Sequence, residues 1–175
     1  MKEKSIFHFC PYDGGKLIIS ASEHRENPVC SVCGFVDYRN PKPCVAILIV
    51  RENKILLGSR AISPAKGMWD IPGGFIDTAE SAEEAVIREA FEETTLHVRI
   101  TGFLGSISDT YGTKQEPTLN LCFITEIEDG QPQAKSDVES LKWFDFNDLP
   151  SSMAFTHQQE MLIWGRDFVA LKLNK

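Results

Sequence analysis

The sequence predicts an α/β domain preceded by a small cysteine-bearing segment, and three observations carry that expectation. A Pro-Gly-Gly turn, Pro72 to Gly74, runs into a short helix crowded with carboxylates. Apolar, β-rich runs lie on both sides of that helix, and an amphipathic stretch over residues 157 to 172 closes the chain. Two cysteine knuckles sit within residues 7 to 36, ahead of a proline-rich connection.

Ser81 and Glu84 stand at capping-box spacing, which predicts a helix start after Ser81. Pro72 and the two glycines set the turn before it. At helical pitch Val86, Ile87, Ala90 and Phe91 fall on one side. Glu89, Glu92 and Glu93 gather on another beside Ala82 and Ala85, so the packed and acidic faces read as separate. Carboxylates at i, i+3 and i+4 repel, and a hard divalent cation relieves that: Mg²⁺ or Mn²⁺ takes carboxylate oxygens and bridges to phosphate. A solvated acidic helix face would show the same bare run. What separates the two is the wider pattern, in which Gly74, Glu80, Arg88, Glu89, Glu92 and Glu93 stand at fixed intervals and Leu96 closes the stretch.

That pattern resembles the Nudix box: Gly, five residues, Glu, seven residues, Arg-Glu, apolar, any, Glu-Glu, any, Gly, apolar. The last Gly is Thr95 here. If this residue takes a positive φ, threonine costs roughly 1 kcal/mol or more and the helix exit is reshaped. No metal-ligand position is touched. The resemblance implies an α/β/α sandwich with a mixed β-sheet.

Composition bounds the function. At 42% hydrophobic and 25% charged, the 175 residues read as an ordinary globular chain able to bury a core. A formal net charge of −7 argues against a general nucleic-acid surface, though not against a small phosphate ester. No apolar run is long enough to span a membrane, and the start MKEKSIFHFCPYDGG carries no apolar signal region, so no membrane association and a cytoplasmic protein are expected.

Three divisions follow: a ribbon-like segment over 1–36, a linker over 37–43 and the main domain over 44–175. In the first, Cys10-Pro-Tyr-Asp13 and Cys30-Ser-Val-Cys33 have the spacing of a four-ligand zinc ribbon with aspartate in the second position. Asp13 can bind through oxygen, and His8 and His24 stand in reserve. The alternatives are a metal-free ribbon or a Cys30–Cys33 disulfide. So short a segment has little core, so one structural Zn²⁺ would supply much of its folding free energy.

After the linker, Cys44–Val50 and Lys54–Ser59 read as a β-hairpin with a heavily buried first strand. Cys44 and Cys122 read as core thiols. Gly67-Met68-Trp69-Asp70-Ile71-Pro72 resembles the lead-in to Nudix boxes, with Trp69 packed beneath the box. Strands are expected over 97–110, 118–127 and 141–146. Between the first two, a turn-rich loop presents Tyr111, Lys114 and Glu116 as candidate substrate contacts. The closing helix carries Met161, Trp164, Phe168 and Leu171 on one face as core.

A ribbon, a Tyr-x-Asn-Pro linker and a Nudix domain together resemble a subgroup that includes NADH, ADP-ribose and FAD pyrophosphatases. The resemblance implies hydrolysis of the pyrophosphate bond of a nucleoside diphosphate linked to another moiety. Glu89 and Glu93 would be the principal ligands of Mg²⁺ or Mn²⁺, with Glu92 joining them. Arg88 would orient the glutamates, and Gly74 would let backbone approach the metal or phosphate. The base would be Glu89 or a later acidic residue, Asp137 first, with Glu139 and Glu116 as rivals. The Ser-Gln-Pro-Trp-Pro-Phe type stretch of NADH pyrophosphatases is absent, which turns the expectation away from NADH. Many members dimerise, so a homodimer is an open expectation. An isomerase reading needs a pocket cysteine and glutamate, and Cys44 and Cys122 fall in strands. A nucleotide-sensing or partner-binding module without catalysis is the other alternative, against which the chain keeps all four glutamates of the box.

Overall fold

The computed structural model describes residues 7–22 and 25–173. The chain divides into two compact units that meet between Asn40 and Pro41. His24 lies outside the described residues.

In the first unit β1 (Leu17–Ser22) and β2 (Arg25–Cys30) pair antiparallel, from Leu17↔Cys30 to Ser22↔Arg25. Each knuckle closes a tight turn, with the Gly14 N–H on Cys10 O and the Gly34 N–H on Cys30 O. The five cysteines are free, so Cys30 and Cys33 form no disulfide.

The second unit is a seven-stranded mixed sheet between two helices. Its centre is β3 (Lys42–Arg51), parallel to β8 (Glu116–Asp129) from Lys42↔Thr118 to Val50↔Glu126. On its other edge β3 pairs with β4 (Lys54–Arg60) at Val50↔Ile55 and Arg51↔Lys54, and with β6 (Gly73–Phe75) at Cys44–Ala46. The expected hairpin is therefore short. β4 leaves it to pair with β5 (Trp69–Asp70) and with β9 (Val138–Asp145). β7 (His97–Tyr111) runs antiparallel to β8.

A strand buried on both faces needs an unbroken apolar run, and β3 has one. Its Val45, Ile47 and Ile49 pack with Ala85, Val86 and Ala90 of α1 (Ala82–Thr94). Its Ala46 and Leu48 pack on the opposite side with Met161, Leu162 and Val169 of α2 (Gln158–Leu173).

Three expectations need correction. Ile87 and Phe91 are exposed, whereas Glu93 lies on the packed face with only 7% exposure. At roughly 100° per residue Glu93 is turned only about 20° from Val86, while Phe91 is turned about 140°, so the packed and acidic faces overlap. Trp69 does not lie under α1. It packs edge-on against Phe144, 4.9 Å between centroids, on the α2 side of the sheet. Leu171 is exposed, and Leu162 and Val169 complete the buried stripe of α2.

Candidate active site

Helix α1 begins as its residues dictate. Ser81 Oγ accepts from the Glu84 N–H, and Glu84 Oε2 accepts from the Ser81 N–H, closing the capping box. Its register then directs Glu89 and Glu93 at the Pro-Gly-Gly turn. Any side chain at Gly74 would overlap the Glu89 carboxylate. At Gly73, with φ 153°, a side chain would strike the Val45 carbonyl across the β3–β6 ladder. The Gly73 N–H donates to Glu93 Oε2 at 3.0 Å.

Arg88 ties helix to turn. Its Nε and one terminal nitrogen bind both oxygens of Glu80, at 2.7 and 2.8 Å. It also reaches Glu89 Oε1 at 2.7 Å, Glu92 Oε2 at 3.3 Å and the Phe75 carbonyl at 3.1 Å. The Arg88 guanidinium holds the Glu80 carboxyl down to about 2. Glu92 stays at the rim, with its side chain 53% exposed.

Asp137 arrives from the far side of the sequence. The loop before it is fastened to the end of α1: the Gln133 N–H donates to Thr94 O at 2.9 Å and the Lys135 N–H to Glu93 O at 3.1 Å. Thr95 is in the left-handed region, φ 63°, as a helix exit of this kind requires. Its hydroxyl donates to Gln131 O at 2.7 Å and fastens the same loop. Helix carbonyls that would otherwise lack partners thus hold the loop that brings Asp137 to Glu93 and Glu89. Burial raises the Glu93 carboxyl to about 9, with Asp137 and Glu89 adding to it and the Gly73 N–H opposing. Burial also raises Glu89, against the pull of Arg88. Among the described residues Glu93 has no cationic partner. Crowded carboxylates of which Glu93 has no countercharge among the described residues, next to bare glycine backbone, form a donor set suited to a hard divalent cation.

A cleft of about 150 Å³ opens beside this cluster, with Gly73, Gly74 and Asp137 in its wall. Tyr111 also lines it. Lys114 is exposed on the β7–β8 turn, and Glu116 pairs with Lys42; neither is in the wall. Glu139 is exposed. Cys44 does line the cleft, but its thiol donates to Asn120 Oδ1 at 3.0 Å and burial pushes it up to about 11, so it remains protonated. Arg60, Asp70, Phe155, His157 and Gln158 belong to the wall as well and escaped the sequence reading. No spacing motif joins them, and only the sheet topology brings residues 60, 70 and 155–158 together.

In the first unit one ligand atom from each of Cys10, Asp13, Cys30 and Cys33 lies within 4.8 Å of the others. The Cys10 and Cys33 sulfurs are 3.7 Å apart. Two thiolates on a tetrahedral ion with arms of about 2.3 Å would be about 3.8 Å apart, so the spacing suits zinc. The Tyr12 and Val32 N–H groups point at Cys10 and Cys30 sulfur, each at 3.4 Å. The Gly15 N–H donates to Asp13 Oδ1 at 2.8 Å and holds that carboxyl down at about 2, ready as an anionic ligand.

Residues 40–165 match the family described as NUDIX domain. The chain is 36% identical over 122 residues to an ADP-ribose pyrophosphatase of Methanocaldococcus jannaschii, covering 70% of this chain and 72% of that one. It is 32% identical over 152 residues to the NAD-capped RNA hydrolase NudC of Chromobacterium violaceum, covering 84% of this chain and 54% of the relative. The chain spans about half the length of the NudC relatives it matches. A NUDIX hydrolase from Nitrosomonas europaea shares the fold over 94% of this chain and 91% of its own, with TM-score 0.75 and 24% identity. A MutT NUDIX hydrolase from Burkholderia pseudomallei covers 71% of this chain and 98% of its own, with TM-score 0.65 and 29% identity. With its box carboxylates gathered at a glycine turn and a family match over most of its length, the chain belongs to the NUDIX domain family.

Proposed function

We propose that the protein is a divalent-metal-dependent hydrolase that cleaves the pyrophosphate bond of a nucleoside diphosphate linked to another moiety. The observation that carries this is the convergence of Glu89, Glu93 and Asp137 beside the Gly73–Gly74 backbone at a cleft. The names of the relatives support it: an ADP-ribose pyrophosphatase and NAD-capped RNA hydrolases both act on such linkages.

Glu89 and Glu93 would hold Mg²⁺ or Mn²⁺, with Glu92 joining from the rim. The bound cation neutralises the diphosphate and polarises its bridging oxygens. Arg88 fixes the rotamer of Glu89 through their shared hydrogen bond. Asp137 takes the proton of the attacking water, because Glu89 is already engaged by Arg88 and Asp137 borders the cleft. Gly74 lets a phosphate oxygen come close to the backbone.

The cysteine–aspartate cluster is read as one structural zinc site, supported by its sulfur spacing and amide-to-sulfur contacts. Five free cysteines suit a reducing, cytoplasmic compartment.

Product analysis tests the activity. Purified protein with Mg²⁺ or Mn²⁺ is incubated with ADP-ribose, NADH, FAD, a diadenosine polyphosphate and the nucleoside triphosphates. A nucleoside monophosphate plus a phosphorylated remainder is expected from one of the first four. Tight binding without turnover of any compound would replace the hydrolase by a sensor.

A further inference from the structure

Asp137 owes its direction to a slip in the sheet. Between β4 and β9 the register runs evenly from Lys54↔Asp145 to Ser59↔Ser140 and then shifts, so that Arg60 faces Val138 and Glu139 has no opposite number. A slip of one residue turns every side chain beyond it to the other face. Gly58 records that turn, because a side chain there would meet both Val138 and Leu141. In an even strand, residues three apart point to opposite faces. The shifted ladder extends to Asp137 itself, whose carbonyl accepts from the Ala61 N–H at 2.7 Å.

Arg60 is where this arrangement is tied. Its N–H donates to Met68 O at 3.0 Å, and its carbonyl accepts from the Gly67 N–H at 2.8 Å, so the loop from 61 to 66 closes on this one residue. Its side chain, 11% exposed, turns back into the same loop, with Nε donating to Pro64 O at 2.7 Å. A terminal nitrogen pairs with Asp70 of β5, which also accepts from Gln158 of α2. The gap left between Arg60, Asp70, Glu93 and Asp137 is about 10 Å³, room for no more than one water. Compared with apolar side chains of like volume, a buried ion pair gains little stability. What a forked guanidinium imposes is direction.

We propose that Arg60 is a positioning residue for the hydrolysis: paired with Asp70, it locks the shifted register of β4 and β9 and so aims the Asp137 carboxylate at Glu93 and Glu89. It acts on the reaction through Asp137 alone. The assignment rests on Asp137 being the base, as read above. Arg60 also borders the cleft, so a direct hold on substrate is the competing role. The two differ in what they do to KM and in whether the loss depends on Asp137.

A double-mutant cycle on the whole protein in Mg²⁺ buffer tests it, with ADP-ribose as substrate or, in its place, the panel compound that the wild type cleaves. Arg60→Lys keeps the charge and loses the fork and the bond to Pro64 O. Its kcat is expected to fall about tenfold, with KM within about twofold of wild type. Asp137→Asn is expected to lose about a hundredfold, and adding Arg60→Lys to it should change kcat by less than about twofold. Losses that multiply, an unaltered kcat in Arg60→Lys, or a loss confined to KM would each overturn the assignment and leave the hydrolase reading standing. Hydrogen exchange without substrate supplies a second readout. Arg60→Lys is expected to speed exchange at the Ala61 amide while α1 and β3 keep wild-type rates. Unchanged exchange at Ala61 overturns the proposal, and loss of protection throughout the second unit assigns Arg60 to stability and overturns it too. If the wild type cleaves no compound of the panel, the hydrolase reading falls, and faster exchange confined to Ala61 and its neighbours upholds the register lock without it.

Discussion

Glu93 shows at one residue how the fold carries a cost in stability. Its carboxyl is buried beside Asp137 and Glu89, and in the metal-free protein it titrates at about 9 against an ordinary value of 4.5. The native state therefore keeps a proton that the unfolded chain releases, so Glu93 makes metal-free stability fall as pH rises from about 4.5 toward 9. Glu93→Gln keeps an acceptor for the Gly73 N–H and removes the titration. We expect a melting temperature at pH 8 above that of the metal-free wild type, and a flatter profile over this window. The same variant should lose about a hundredfold or more in metal-dependent turnover. Thermal melts across pH and steady-state rates at saturating Mg²⁺ check both halves, and an unchanged rate would remove Glu93 from the site. The sequence carried Glu93 by spacing alone. Its burial is masked in the sequence because Ile87 and Phe91, apolar yet exposed, pull the apparent packed face of the helix away from it. Gln158 left no trace in the sequence, since a lone glutamine at a helix start has no pattern to announce it.

At the level of elements, the exit of α1 and the loop after β8 form one device. The left-handed conformation of Thr95 opposes stability by roughly 1 kcal/mol for a residue with a β-carbon. Its hydroxyl bond to Gln131 O returns a similar amount, about 1 kcal/mol. Thr95→Gly relieves the first and loses the second, so the unfolding free energy from urea denaturation should change by no more than about 0.5 kcal/mol. The loop carrying Asp137 then keeps the Gln133 and Lys135 bonds to α1 and the Ala61 N–H on Asp137 O, but loses its side-chain tie to the helix exit. We expect faster hydrogen exchange over residues 131–137 and a drop in kcat of severalfold; an unaltered exchange pattern would show that the hydroxyl is not a fastening. The departure from the box was visible in the sequence. Its compensation was not, because the partner carbonyl lies 36 residues away.

For the whole molecule, the division near Asn40 separates two ways of being stable. The second unit buries apolar side chains on both faces of its sheet. The first has exposed Phe9, Tyr12, Ile19 and Val32, and its cysteine–aspartate cluster joins buried Cys10 and Cys30 to exposed Asp13 and Cys33. Metal analysis of freshly purified protein should find one zinc per chain. A chelator that removes it should speed hydrogen exchange in residues 7–36 while leaving β3, β4 and β8 protected; absence of zinc would end this reading. Among the described residues no helix is long and apolar enough to cross a membrane.

What the sequence determined by itself were the features written in local spacing: the capping box, the carboxylate series of α1, the knuckles and the doubly buried run of β3. Each depends on residues a few positions apart, where helical pitch, strand alternation and turn chemistry act directly. Only the tertiary structure decided that Asp137 meets Glu93, that Trp69 packs on the α2 side, and that Arg60, Asp70 and Gln158 share one wall. Those outcomes follow from parallel pairing of β3 with β8 and from β9 joining β4, contacts between segments far apart in the chain. Such pairings are selected by the burial of the whole sheet, and no single stretch of residues encodes them.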